Sequence, residues 1–151
     1  ELPLSIENSV FEPVVEETDN KVVTGLRVLS VDDDEVNRLV LQRHLEQLGC
    51  DITSVVNGQQ AVEKFIEDDY DLILMDLLMP VMDGFQAAAE IRRMERDQGL
   101  DPVRIVAITA SIVGKVEEQC RQAGMDGFLS KPFSKQQLEQ VLNESKKDLD
   151  G

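Results

Sequence analysis

The sequence predicts an α/β fold, in which a doubly wound parallel sheet of five strands has helices on both faces. Three observations predict it. Short apolar runs typical of strands alternate with longer segments of helical periodicity. Residues 71–75 are apolar after the first residue, as expected of a strand that is covered on both faces. The 151 residues are 42% hydrophobic and 30% charged, which fits one globular domain.

The first β–α unit begins at Leu26. Residues 27–31 predict the first strand, and Asp34 is the expected N-cap of a helix over residues 35–48 that Gly49 ends. The apolar side chains of this helix are expected to face the core, and they are Val36, Leu39, Val40 and Leu48.

The later units follow the same alternation. Strands are predicted at residues 52–56, 71–75, 103–108 and 127–129, with a helix after each. Asn57 with Gln60, and Ser134 with Gln137, have the spacing of N-terminal capping pairs. The apolar stripes expected on the second, fourth and fifth helices are Ala61, Val62, Phe65 and Ile66; Ile112, Val113, Val116, Cys120 and Ala123; and Leu138, Val141 and Leu142.

Reactive side chains follow four of the predicted strands. Asp32 and Asp33 follow the first strand, Asp76 the third, Thr109 the fourth and Lys131 the fifth. The carboxyl ends of parallel strands share one edge of a sheet, so these side chains are expected to converge. In a flavodoxin-like, three-layer fold with strand order 2-1-3-4-5, the binding crevice lies between strands one and three, where the carboxylates end.

Three neighbouring carboxylates repel one another unless they share protons or bind a cation. Mg²⁺ suits them because it prefers oxygen ligands and leaves positions for a phosphoryl oxygen. A simpler interpretation of Asp32 and Asp33 is a helix N-terminus, where each acid contributes about 0.3–1 kcal/mol. A simpler interpretation of Asp76 is a turn residue. The combination with Lys131, placed by the turn at Pro132, favours Asp76 as a nucleophile that accepts a phosphoryl group.

Four motifs stand in the order found in the receiver domains of two-component response regulators. They are VDDD at 31–34, MDLLMPVMDG at 75–84, ITAS at 108–111 and FLSKPF at 128–133. The chain resembles this family over residues 26–149. The resemblance implies that Asp76 takes phosphate from a phosphohistidine, that Thr109 and Lys131 contact the phosphoryl group, and that Phe128 and Thr109 form a conformational switch.

The same resemblance implies a metal site. Mg²⁺ would be bound directly by Asp33, mainly through water by Asp32, by Asp76 and by the backbone carbonyl of Leu78.

Two segments are most similar in sequence to the C-terminal receivers of hybrid sensor histidine kinases. They are EVNR at 35–38 and AGMDGFLSKPF at 123–133. ELPL at 1–4 resembles the end of a kinase ATP-binding domain. Residues 1–25 carry six acids and one lysine and are expected to form a linker. The implied partners are a histidine kinase or a histidine phosphotransfer domain, and self-association through helix four, strand five and helix five is also expected.

The composition argues against several classes of protein function. A net charge of −15 argues against direct nucleic-acid binding. The apolar stretches are too short for a membrane span, which predicts a soluble, cytoplasmic domain without membrane contact. Cys50 and Cys120 show no metal-binding spacing and are expected to be buried. His44 is expected to be a surface residue remote from the site motifs.

Three alternatives stay open. A Mg²⁺-dependent phosphohydrolase would normally carry a second acid two residues after the nucleophile, where Leu78 stands. A receiver that docks partners without being phosphorylated typically lacks an essential site residue, and none is missing here. A stand-alone response regulator would carry the same motifs as the receiver of a hybrid kinase.

Overall fold

The computed structural model describes residues 25–77, 79, 81–110 and 114–150. Within these ranges, strands and helices alternate along the chain. They are β1 (Arg27–Val31), α1 (Glu35–Gln47), β2 (Asp51–Val55), α2 (Gly58–Glu67), β3 (Leu72–Asp76), α3 (Gly84–Gln98), β4 (Arg104–Thr109), α4 (Gly114–Gln122), β5 (Gly127–Ser130) and α5 (Lys135–Asp150). The predicted linker over residues 1–25 lies almost entirely outside the described residues, as do Leu78, Ile112 and Val113.

The five strands form one parallel sheet in the order β2-β1-β3-β4-β5. The predicted fold class and strand order are therefore confirmed. The register places Val31, the last residue of β1, beside Met75, one residue before the end of β3. Thr109 lies beside Ser130 at the end of β4 and β5. The order reverses between β1 and β3, which makes this the switch point of the sheet.

Two hydrophobic cores cover the two faces of the sheet. One packs the sheet against α2, α3 and α4, and the other packs it against α1 and α5. Successive residues of a strand point to opposite faces, so Ile73 and Met75 enter the first core while Leu72 and Leu74 enter the second. All four are fully buried, which explains the continuous apolar run.

The predicted core face of α1 was wrong for three of its four residues. Val36, Leu39 and Val40 are 68%, 49% and 48% exposed. The buried residues of the helix are instead Leu41 and Leu45, which pack against the sheet together with the predicted Leu48. The helix carries two apolar stripes, and periodicity alone does not say which one meets the sheet. On α2, Ile66 was also predicted to face the core and is 65% exposed.

The helix N-caps predicted from the sequence are present in the structure. Asp34 accepts a hydrogen bond from the backbone N–H of Asn37, as a predicted N-cap should. Ser134 and Gln137 bond reciprocally, each side chain accepting from the other's backbone N–H at 3.1 and 2.8 Å. The first strand has the predicted bounds, and the bounds of the other four differ from the predicted ones by at most one residue, because propensity does not define where a ladder starts and stops.

Candidate functional site

The site forms at the carboxyl edge of the sheet. Asp32 and Asp33 follow β1 directly, and Asp76 and Thr109 are the last residues of β3 and β4. Lys131 follows β5 directly. The strands end within two residues of one another in register, so all five predicted side chains reach the same edge of the sheet.

The three carboxylates lie close together. Asp32, Asp33 and Asp76 each offer one oxygen, and these oxygens lie within 4.8 Å of one another. Asp32 and Asp76 are only 4% and 8% exposed, whereas Asp33 is exposed. Mutual repulsion among negative charges in partly desolvated surroundings favours binding of a cation. An all-oxygen set of this kind fits Mg²⁺.

Asp32 is fixed by both of its carboxylate oxygens. Oδ1 accepts a hydrogen bond from the backbone N–H of Asp34 at 2.9 Å, and Oδ2 pairs with Lys131 Nζ at 3.2 Å. Arg38 adds a third restraint by donating from Nη1 to the backbone carbonyl of Asp32 at 2.9 Å. Lys131 is therefore held beside the carboxylates as a cation. Nothing in the sequence distinguishes Arg38 as a site residue apart from its place in the EVNR segment.

Backbone geometry and a hydrogen bond define the turn at Lys131. The Lys131–Pro132 peptide bond is cis, the form that X–Pro bonds adopt far more readily than others. The backbone N–H of Lys131 donates to the carbonyl of Thr109 at 2.8 Å, which joins the ends of β4 and β5. Thr109 is buried, whereas Phe128, the predicted switch residue, is 41% exposed.

The loop after Asp76 is closed by two glycines. A Cβ on Gly84 would lie 2.4 Å from the carbonyl oxygen of Asp76, so only glycine allows α3 to begin this close to the site. The Gly84 N–H donates to the carbonyl of Leu77 at 3.1 Å. Gly58, at the start of α2, donates to the carbonyl of Met82 at 3.1 Å. The predicted metal ligand Leu78 is in this loop but outside the described residues.

A groove of about 380 Å³ adjoins the site. Asp32 and Lys131 form its polar end, and most of its wall is apolar. The apolar residues that line it are Val40, Leu41, Ile108, Ala110, Pro132 and Phe133. His44, predicted to be a surface residue, is half-buried and also lines this groove. Its Nδ1 is buried and has no hydrogen-bond partner among the described residues.

Both cysteines are buried, as expected, and neither is part of a disulfide. Burial raises the pKa of the Cys50 thiol to about 11, because the charged thiolate is poorly solvated there. In the part of the chain that the structure describes, no helix has the length and apolar character needed to cross a bilayer.

Parallel strands in this order, with three carboxylates at the switch point and a lysine paired with one of them, form the arrangement that the sequence predicts for a receiver domain. The pattern of the response regulator receiver domain family matches residues 28–143. The chain belongs to that family.

Curated relatives are mainly large kinases. Over 119 residues the chain is 38% identical to hybrid signal transduction histidine kinase L of Dictyostelium discoideum, a match that covers 77% of this chain and 7% of that protein. It is 41% identical over 116 residues to the sensor protein GacS of Pseudomonas syringae pv. syringae, covering 77% of this chain and 13% of that protein. The chain thus corresponds to a small part of each relative's length.

Two solved structures are similar throughout the described fold. The receiver domain of the sensor histidine kinase PA1611 from Pseudomonas aeruginosa, with magnesium in its active-site cleft, is 39% identical with a TM-score of 0.74, covering 82% of this chain and 99% of that one. A chain in the Saccharomyces cerevisiae co-crystal of the histidine phosphotransfer protein Ypd1 with the receiver of Ssk1 is 31% identical, with a TM-score of 0.80, covering 83% and 92%.

Proposed function

We propose that Asp76 accepts a phosphoryl group from a phosphohistidine and later loses it to water, and that this phosphorylation switches the surface of the domain. The main support for this proposal is the cluster of Asp32, Asp33 and Asp76 beside Lys131. A carboxylate at the end of a buried strand, with a fixed cation next to it, is suited to attack phosphorus.

The transfer needs no reactant other than Asp76 and the phosphohistidine. A carboxylate oxygen of Asp76 attacks phosphorus, a P–O bond forms, and the P–N bond to the imidazole breaks, with the electron pair returning to nitrogen. In the later step water attacks the same phosphorus, the P–O bond to Asp76 breaks, and inorganic phosphate leaves. Lys131 Nζ, which lies 3.2 Å from Asp32, would donate to one phosphoryl oxygen, and the Thr109 hydroxyl would donate to another.

Mg²⁺ is the proposed cofactor. Asp33 would hold it directly, Asp32 mainly through water, and Asp76 and the Leu78 carbonyl would complete the protein ligands. Bound there, the ion would neutralise charge on the phosphoryl oxygens as transfer proceeds. The all-oxygen donor set within 4.8 Å supports this choice, as does the magnesium in the cleft of the PA1611 receiver.

The test is phosphorylation by acetyl phosphate with Mg²⁺. The wild-type chain should gain one base-labile phosphoryl group, detected by mass spectrometry, and Asp76→Asn should gain none because the nucleophile is removed. Asp83→Asn is the matched control, since Asp83 is the N-cap of α3 and asparagine caps equally well. Undiminished labelling of the Asp76 variant would refute the assignment. An unlabelled wild-type chain would favour the alternative of a docking receiver that is not phosphorylated.

We also infer that a histidine phosphotransfer domain, or a histidine kinase, docks over α1. The α1 patch, formed by Val36, Leu39 and Val40, is an exposed apolar surface, and Val40 also lines the groove that ends at Asp32 and Lys131. Apolar patches of this kind on an otherwise charged surface mark interaction sites. The Ypd1–Ssk1 co-crystal supports a partner of this class.

We make further proposals about the parent protein, the linker, self-association and cellular location. The identities to GacS and to the Dictyostelium kinase favour a parent hybrid histidine kinase over a stand-alone response regulator. Residues 1–25 are proposed as an acidic linker ahead of the receiver at 26–149. Self-association through α4, β5 and α5, and a cytoplasmic location, also remain predictions.

A further inference from the structure

Arg38 lies in the first turn of α1, and its side chain reaches back to the end of β1. The residue is half-buried, and its Nη1 donates to the backbone carbonyl of Asp32 at 2.9 Å. The chain has 30 acidic residues, yet none of those that the structure describes forms an ion pair with Arg38. The guanidinium is therefore held by the backbone at the start of the site loop and not by a carboxylate.

Two hydrogen bonds of Arg38 hold the backbone on either side of Asp33. The side chain binds the carbonyl of Asp32, and the backbone N–H of Arg38 donates to the carbonyl of Asp34 at 3.0 Å. Because a peptide unit is planar, a fixed Asp32 carbonyl also fixes the orientation of the unit that leads into Asp33. A single residue of α1 thus restrains the backbone before and after Asp33.

The carboxylate of Asp33 lacks such support of its own. It is exposed, and it makes no hydrogen bond or ion pair with another residue that the structure describes. The carboxylate of Asp32, in contrast, is bonded to the N–H of Asp34 and to Lys131. The position of the Asp33 carboxylate before a metal binds therefore depends on its backbone.

We propose that Arg38 is a positioning residue for Mg²⁺ and acts through the backbone of Asp33. The inference rests on the proposed function, because it assigns a supporting residue to the same metal site. Loss of a residue that holds a metal ligand in place typically lowers metal affinity about 10–100-fold. Without Arg38, the loop at Asp33 would have to become ordered when the ion binds, and the entropy lost in that ordering would weaken binding.

The positive charge of Arg38 has the opposite effect on metal affinity. A cation near the site repels Mg²⁺, so loss of the charge alone would strengthen binding, whereas loss of the hydrogen bond would weaken it. The direction of the change therefore identifies the dominant effect. Arg38 is only half-buried, so solvent and salt screen its charge, and we expect the hydrogen bond to dominate.

The test is the Mg²⁺ affinity of Arg38→Met, measured by NMR titration of the metal-free protein. Methionine has a helix propensity close to that of arginine, so the variant keeps α1 and loses both the charge and the donor. Its dissociation constant for Mg²⁺ should rise about tenfold. Arg38→Lys keeps the charge and one donor, and it should bind Mg²⁺ within about threefold of the wild type. Urea unfolding in EDTA would show whether each variant is folded.

Phosphorylation by acetyl phosphate at increasing Mg²⁺ concentrations gives a second measurement. The Mg²⁺ concentration for half-maximal rate should rise about tenfold in Arg38→Met. The rate at saturating Mg²⁺ should stay within about twofold of the wild type, because enough metal restores the occupied site. A general disturbance of the site would lower the saturated rate as well.

Arg43→Met is the matched control. Arg43 is an exposed arginine on the same helix, and it makes no hydrogen bond or ion pair with a residue that the structure describes. The substitution removes the same charge and leaves the contacts of Asp33 intact. Its Mg²⁺ affinity should stay within about twofold of the wild type, since an exposed charge away from the site is screened.

Several results would overturn the role of Arg38. Unchanged or tighter Mg²⁺ binding in Arg38→Met would do so, as would equal weakening in Arg38→Met and Arg43→Met. A lower rate of Arg38→Met at saturating Mg²⁺, or loss of its cooperative unfolding, would show that the residue supports the fold and not the metal ligand. Failure of the wild-type chain to bind Mg²⁺ or to be labelled by acetyl phosphate would instead refute the proposed function.

Discussion

Asp32 and Asp33 are adjacent in the sequence, yet their side chains lie in different surroundings. Asp32 is buried, bonded to the N–H of Asp34 and paired with Lys131, whereas Asp33 is exposed beside two other carboxylates. The two residues therefore make different contributions to folding. Asp32 organises the site in the absence of metal, while Asp33 adds negative charge that only a cation offsets.

We predict that Asp33→Asn abolishes Mg²⁺-dependent phosphorylation without lowering the free energy of unfolding in EDTA, because it removes a ligand and a source of repulsion together. Asp32→Asn should lower that free energy by about 1–2 kcal/mol, since Lys131 loses its ionised partner. Urea unfolding in EDTA and Mg²⁺ titration would measure both effects. Normal Mg²⁺ affinity in Asp33→Asn would mean that the metal binds elsewhere.

Among the helices and strands, one half-buried arginine, Arg92, joins α3 to the loop between α4 and β5. Arg92 pairs with Glu95 at 2.8 Å and with Asp126 at 2.9 Å, and its Nε donates to the carbonyl of Gly124 at 2.8 Å. Glu95, itself buried, also accepts from the backbone N–H of Val103 at 2.7 Å. The network ties the loop between α4 and β5, and the residue before β4, to α3.

We predict that Arg92→Ala destabilises the domain by about 3–5 kcal/mol, because it leaves the carboxylate of Glu95 buried without a cation. Arg92→Lys should recover only part of that loss, since an ammonium group cannot make the three directed contacts together. Arg93→Ala is the matched control. Arg93 is exposed on the same helix, where it pairs with Glu90 and Asp97, and should matter little. Equal effects of the two alanine variants in chemical unfolding would contradict the role of the network.

Helix caps and strand ends were predicted correctly from the sequence, whereas the buried face of α1 was not. The difference arises because the buried face depends on tertiary packing. Capping pairs and strand ends depend on near neighbours, so Ser134 and Asn57 cap the helices that the sequence predicts, and the three carboxylates meet at the predicted edge. The face of α1 depends on which of two apolar stripes meets the sheet, and no local signal distinguishes them. Val81 shows the same limit, because valine gives no local signal for the positive φ that it adopts.

At the scale of the whole molecule, phosphorylation at one edge is expected to change the surface made by α4, β5 and α5. A phosphoryl group adds charge and acceptor oxygens next to Thr109, and Thr109 is bonded through its carbonyl to Lys131 at the end of β5. Phe128 lies on β5 with 41% exposure, beside a small cavity shared with α4. Inward movement of Thr109 would vacate space that the ring of Phe128 can fill.

We predict that beryllofluoride with Mg²⁺, a mimic of the phosphoryl group, shifts backbone NMR signals of α4, β5 and Phe128 as well as those around Asp76. Because the Arg92 network holds Gly124 after the end of α4, the shifts should be larger toward Gly114 than toward Gln122. Asp76→Asn with the same mimic is the control and should show none of them. Shifts confined to the loops around Asp33 and Asp76 would leave a phosphoacceptor without this switch, since a two-state element must respond to the group that biases it.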